Sequence, residues 1–280
     1  MEVSSKIDTC NVWDILQTQL NSAIGNKELY MVYQPQYNIK KDVVTTVEAL
    51  LRWRNPKLGN VSPMNFIPIA EESGMIKEIG DFVIKESFQM LSRLNSAGNK
   101  DIKLAINISA TQFYHDFFLE DLLLAIYETG VNSVDIELEL TESILIKDRE
   151  QSIKTIKRLK ELGFKLAIDG FGVGYSSLTS LKYFMADTLK IDANFIRNML
   201  TNVYDVKIVD AIINIGQSFG MRVVAEGIES AKQLELLMKK RCDTVQGYFL
   251  CLPLEEKELL TYLSYHVRES THKGSLGRSS

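Results

Sequence analysis

From residue 28 onward, apolar residues fall into short runs separated by longer amphipathic stretches. The runs are ELYMVYQPQ, VVTTVEALL, IKLAINIS, VDIELEL, FKLAIDG, DTLKID, MRVVAEG and DTVQGYFL. Their length and bounding turn residues predict strands, and the helical spacing over 76–96, 116–129, 148–162, 204–219 and 230–240 predicts helices between most of them. Alternating strands and helices imply an α/β fold with a mainly parallel sheet and helices outside it. About eight strands in roughly 240 residues fit a TIM-like (β/α)8 barrel better than a doubly wound sheet. No helix separates the first two runs, so the first strand is expected to be irregular and antiparallel. Upstream, Trp13, Leu16, Leu20 and Ile24 recur at helical spacing across 12–25, with Asn11 as the expected cap. The tail THKGSLGRSS is polar and rich in Gly and Ser, and is expected to be disordered. The expected organisation is a linker helix over 1–26, a barrel over 27–265 and a tail over 266–280.

Composition narrows the chemistry. The 280 residues carry 32 basic and 36 acidic side chains, a net charge of -4, which argues against a nucleic-acid polymer as partner. Cys10, Cys242 and Cys251 lack paired spacing and read as free thiols of a reducing compartment. No apolar run reaches the roughly 18 residues of a membrane span, and no signal-peptide core opens the chain, so the cytoplasm is the expected location. Only His115, His266 and His272 are present, which argues against zinc sites and histidine-dependent hydrolases. Metal chemistry would have to use oxygen ligands.

The residues that close the apolar runs supply such ligands. Glu48, Asn107, Glu139, Glu142, Asp169, Lys190, Asp192, Glu226 and Gln246 all fall at or near predicted strand ends. In a parallel barrel these ends converge on one face, where barrel enzymes place their active sites. Packed carboxylates repel and raise one another's pKa, and divalent cations relieve that repulsion. Glu, Asp and Asn oxygens favour Mg2+ or Mn2+. Such a set suits two-metal phosphoester hydrolysis, and equally an enolase-like reaction with Lys190 as base. Spacing alone leaves both open. In DGFGVGYSS, alternating Gly170, Gly172 and Gly174 match neither a dinucleotide fingerprint nor a Walker A loop, and predict a loop between strand and helix.

Nine motifs in order resemble the EAL domain family, which hydrolyses cyclic di-GMP in bacteria: YQPQ, EALLRW, FIPIAEESG, NIS, ELTES, IDGFGVGYSSL, LKID, AEGIE and QGY. The resemblance covers about residues 15–262 and implies a TIM-like barrel with an antiparallel first strand. By motif, Glu48, Asn107, Glu139 and Asp169 resemble the family's metal ligands, with Gln246 a metal-shell residue near the base. Glu226 resembles the general base, and Lys190 the lysine that orients the attacking water and stabilises developing charge. Arg52 resembles the arginine that grips a substrate phosphate, and Glu142 the anchor of the loop after Asp169. The implied cofactors are two Mg2+ or Mn2+ ions, the ligand is cyclic di-GMP, and the implied assembly is a homodimer. The helix over 12–25 resembles a connector to an upstream sensory or diguanylate-cyclase-type domain.

One departure is central. The family usually has two adjacent aspartates before FG, and here the second is Gly170. Its absence removes a charged ligand from one metal position, so turnover is expected to be weakened. The alternative is a degenerate domain that binds cyclic di-GMP as a receptor. Leu252 stands where a basic residue often precedes PL, which alters the expected guanine-side contacts.

Overall fold

The computed structural model describes residues 9–173 and 178–265. Nine strands form one sheet: β1 (Leu29–Asn38), β2 (Val43–Asn55), β3 (Gly59–Val61), β4 (Lys103–Ile108), β5 (Ile136–Thr141), β6 (Lys165–Phe171), β7 (Thr188–Ile191), β8 (Arg222–Ala225) and β9 (Thr244–Val245). Its order is β1-β9-β8-β7-β6-β5-β4-β2-β3, and the additional β1–β2 pairing closes eight of the strands into a barrel. β1 runs antiparallel to both β2 and β9, whereas β2 and β4 to β9 pair in parallel. The expected α/β barrel with an antiparallel first strand is therefore the observed fold.

The apparently continuous hydrophobic runs alternate once the barrel closes. Val47, Leu104, Ile106, Leu138, Leu140, Leu166, Ile168, Leu189, Val223 and Val245 are buried in the main apolar core, against the helices outside the sheet. Most of the interleaved inward positions are polar: Gln34 and Gln36, Thr46 and Glu48, Glu137 and Glu139, Thr188 and Lys190, Thr244 and Gln246 are all buried, with the apolar Ala105, Ala167 and Val224 between them. Barrels ordinarily fill this space with branched aliphatic side chains. Here a polar interior is built into the strands, and it ends at the mouth formed by their C-terminal ends.

The helices at Ile76–Ser96, Phe118–Thr129, Arg149–Glu161, Val203–Ser218 and Ala231–Lys239 lie close to the expected ranges. The sequence pattern did not reveal β3 or the helices Pro63–Ser73, Leu178–Phe184, Ala193–Asn198 and 256–265. Pro63–Ser73 carries Pro68 inside a helix, a residue that normally argues against one. The first helix spans Thr9–Leu20, so Asn11 lies within it and is not its cap. A second apolar cluster joins Leu20 and Ala23 to Leu29, Trp53 and Phe66, with Trp13, Leu16 and Ile24 packed against it. The expected disordered tail over 266–280 lies outside the described residues. Among the described residues, no helix is long and apolar enough to cross a membrane.

Candidate active site

Lys190, on β7, rises from the barrel interior into a ring of carboxylates. Its Nζ lies 2.7 Å from Glu139 Oε2, 2.8 Å from Glu226 Oε1, 3.4 Å from Asp169 Oδ1 and 3.5 Å from Glu48 Oε1. The ammonium is 1% exposed, so its attraction to these acids is little screened by water. Burial alone would push Lys190 down, but Glu139, Glu226, Glu48 and Asp169 outweigh it and hold the ammonium well above the usual lysine range. Burial pushes Glu139 well up, with the charge on Glu48 adding to it. Burial also pushes Glu226 up to about 7, against the pull of Lys190. Glu48 moves the other way. Burial raises it, but Lys190 and hydrogen bonds from Gln246 and Asn107 prevail and hold it below the ordinary glutamate value. Divalent cations are expected to relieve the repulsion among these acids; the structure shows that the ammonium of Lys190 already occupies their centre.

The remaining residues arrange the ring. Asn107 Nδ2 donates to Glu48 Oε1 at 2.8 Å, and Gln246 Nε2 donates to Glu48 Oε2 at 2.6 Å. Gln246 Nε2 also donates to Gln34 Oε1 at 3.0 Å, while Gln34 Nε2 donates to the Cys251 carbonyl at 3.0 Å. Gln34 faces Glu48 directly in the β1–β2 register. Gln34 is not a strand-end residue, and only the antiparallel pairing of the first two strands, which sets the YQPQ and EAL motifs side by side, singles it out. Asp192, grouped with the strand-end residues on sequence, instead caps the helix Ala193–Asn198 by accepting from the Asn194 N–H. Two buried oxygens, Glu139 Oε1 and Gln246 Oε1, have no hydrogen-bond partner among the described residues.

Cavities flank the cluster on two sides. One of about 550 Å3 is lined by Leu50, Arg52, Ile67, Glu71, Asn107 and Ser109, and another of about 290 Å3 by Gln34, Glu48, Arg197, Glu226, Gln246 and Tyr248. Arg52 thus opens onto the first cavity and stands apart from the ion-paired ring; its Nη1 donates to the Leu51 carbonyl at 2.9 Å. Glu142 is half-buried just beyond β5 and makes none of the ion pairs that surround Lys190. The loop that it was expected to anchor includes residues 174–177, outside the described residues.

Gly170 follows Asp169 where the β6–β7 register shifts between Ile168 and Phe171. Its φ of +64° is a left-handed conformation that glycine adopts without strain. A Cβ there would meet nothing within 4 Å. The residue is therefore permitted by the backbone, and space is not what excludes a side chain.

An oxygen-rich ring with unpartnered buried oxygens fits a hard divalent cation. Among the described residues, however, no three His, Cys, Asp or Glu side chains stand preassembled as a metal cage. Lys190 holds the acids around itself.

Comparison with known proteins decides the family: a family model described as EAL domain matches residues 17–253. The chain belongs to the EAL domain family. The cyclic di-GMP phosphodiesterase NbdA of Pseudomonas aeruginosa is 36% identical over 248 residues, covering 89% of this chain and 32% of that protein. The oxygen sensor protein DosP of Escherichia coli is 36% identical over 250 residues, covering 89% of this chain and 31% of its own. The solved PaMucR phosphodiesterase in complex with c-di-GMP shares a TM-score of 0.85 and 34% identity, covering 88% of this chain and 99% of that chain. The chain spans about a third of the length of these two curated relatives.

Proposed function

We propose that this EAL domain is a metal-dependent phosphodiesterase that opens cyclic di-GMP to linear pGpG. The observation that carries the proposal is the ring of Glu48, Glu139, Asp169 and Glu226 about Lys190 at the barrel mouth. Names of relatives at 36% identity, one of them a cyclic di-GMP phosphodiesterase, support the same substrate.

Glu48, Asn107, Glu139, Asp169 and Gln246 would hold Mg2+ or Mn2+ through oxygen atoms. When bound, such an ion supplies Lewis acidity, easing ionisation of a water and neutralising phosphate charge. Glu226 acts as the general base: a carboxyl pushed up to about 7 is matched to taking a proton near neutrality. Lys190 orients the attacking water and meets the negative charge that develops on the phosphoryl oxygens. Arg52, at the edge of the larger cavity, grips a phosphate through its guanidinium fork. The water oxygen bonds to phosphorus, its proton passes to Glu226, and the bond from phosphorus to the 3′ oxygen breaks, that oxygen taking a proton from solvent to leave as a hydroxyl. The product keeps the phosphate on its 5′ end. Glu142 supports the loop after Asp169.

Gly170 favours a second reading, a receptor that binds cyclic di-GMP without turning it over, because a residue with no side chain contributes no ligand beside Asp169. Glu226→Gln separates the two. For the enzyme, the variant loses at least a hundredfold in pGpG formation while retaining nucleotide affinity. Tight binding by the unmodified chain with no product in Mn2+ would establish the receptor instead. We further propose that a homodimer is the working assembly, that an upstream sensory or cyclase-type domain accompanies the barrel in the parent protein, and that the domain works in the cytoplasm.

A further inference from the structure

One layer beneath the acidic ring, a single guanidinium ties three strands together. Arg222, the first residue of β8, donates from Nη1 to Thr46 Oγ1 at 3.0 Å, from Nε to Thr188 Oγ1 at 3.3 Å and from Nη2 to Glu137 Oε1 at 2.8 Å. Thr188 Oγ1 donates in turn to Glu137 Oε2 at 2.6 Å. Thr46, Glu137 and Thr188 are buried, and the Arg222 side chain is 25% exposed.

Thr46 lies two residues before Glu48 on β2, Glu137 two before Glu139 on β5, and Thr188 two before Lys190 on β7. Residues two apart on a strand share a face and are separated by about 6.6 Å. Each anchor point therefore sits directly below a member of the ring. Arg222 itself lies at the base of the strand that leads into Glu226. Arginine suits this place because its planar fork carries several donors in fixed directions, whereas lysine offers a point charge.

We propose that Arg222 and Glu137 form a positioning clamp that fixes the relative register of β2, β5, β7 and β8, and so the mutual placement of Glu48, Glu139, Lys190 and Glu226. The role rests on the phosphodiesterase reading above. A clamp of this kind governs how well reacting groups are aligned more than how tightly substrate is held. A misplacement on the order of 1 Å can cost about a hundredfold in rate.

The test compares kcat and KM for cyclic di-GMP in Arg222→Lys, Thr46→Val and Thr188→Val, well below each variant's melting temperature. Arg222→Lys keeps the charge but loses the fork, and kcat should fall at least about tenfold with KM within about threefold. The two valine variants, which each remove one spoke and suit a strand, should each lower kcat at least about threefold. Values of kcat within about twofold of the unmodified chain in Arg222→Lys overturn the clamp, as does a loss confined to KM. Absence of turnover in the unmodified chain would instead overturn the phosphodiesterase reading. The clamp is then read from the ring it positions: Arg222→Lys should weaken Mn2+ binding, followed by calorimetry, at least about fivefold with cyclic di-GMP affinity within about threefold, and unchanged Mn2+ affinity overturns it.

Discussion

Removing the central ammonium is the sharpest perturbation of this structure. Lys190→Met keeps the length and apolar stem of the side chain but leaves Glu48, Glu139, Asp169 and Glu226 facing one another. Two of these partners stand within 2.8 Å of Nζ, and the Glu139 side chain is fully buried. Breaking a buried ion pair by deleting one partner typically costs about 3–5 kcal/mol. At about 2–4 °C per kcal/mol for a chain of this size, a loss of about 4 kcal/mol lowers Tm by roughly 8–16 °C. The sign with pH follows from linkage. Without Lys190 the folded-state pKa values of Glu139 and Glu226, already raised, rise further above their unfolded values. The folded chain then binds more protons than the unfolded chain, so the deficit is small in acid and grows as pH rises above the ordinary glutamate range. Thermal denaturation of both proteins near pH 5 and near pH 8, without and with millimolar Mg2+, measures this directly. The deficit should be largest near pH 8 without metal and shrink when Mg2+ is added. A Tm within about 2 °C of the unmodified chain near pH 8 would refute the electrostatic account.

Gly170→Asp introduces a residue type that tolerates left-handed backbone, into a position where its Cβ meets nothing within 4 Å. A strain cost of about 1 kcal/mol is expected together with tighter Mn2+ binding and faster turnover, checked by calorimetry and pGpG formation. Asp187, below the barrel, accepts hydrogen bonds from Lys160, Lys165 and the Leu166 N–H. Burial raises its pKa, but these partners outweigh burial and hold the carboxyl below the ordinary value, so its stabilisation is present at neutral pH and lost as pH falls through the folded pKa. Asp187→Asn should cost about 1–2 kcal/mol at pH 7, with the difference from the unmodified chain shrinking in acid, as followed by urea denaturation. Leu20→Ala, in the cluster that docks the first helix against Trp53 and Phe66, should cost about 2–4 kcal/mol in the same assay.

The barrel was legible in the sequence because its strands are buried and its helices amphipathic, and because each strand ends in the polar residue that reaches the mouth. Glu48, Asn107, Glu139, Asp169, Lys190, Glu226 and Gln246 could be grouped from that regularity alone. What the pattern could not give was distance. It put Lys190 beside the acids without showing that the ammonium sits among four of them. Gln34 was hidden because its partners come from Gln246 and Cys251, more than two hundred residues away. Pro68 masked the Pro63–Ser73 helix, and β3 is only three residues long, too short for an alternating pattern. Arg222 and Glu137 looked like ordinary strand residues until closure of the barrel brought β2, β5, β7 and β8 around one interior.

The most direct test of the central claim is incubation of the unmodified chain with cyclic di-GMP and Mn2+ in 18O-labelled water, with products separated by chromatography and weighed by mass spectrometry. Hydrolysis as described predicts multiple turnovers to pGpG, with the label on its 5′-phosphate and formation halted by a chelator. Intact cyclic di-GMP after prolonged incubation, bound but unchanged, would contradict the phosphodiesterase and leave a receptor built on an enzyme's fold.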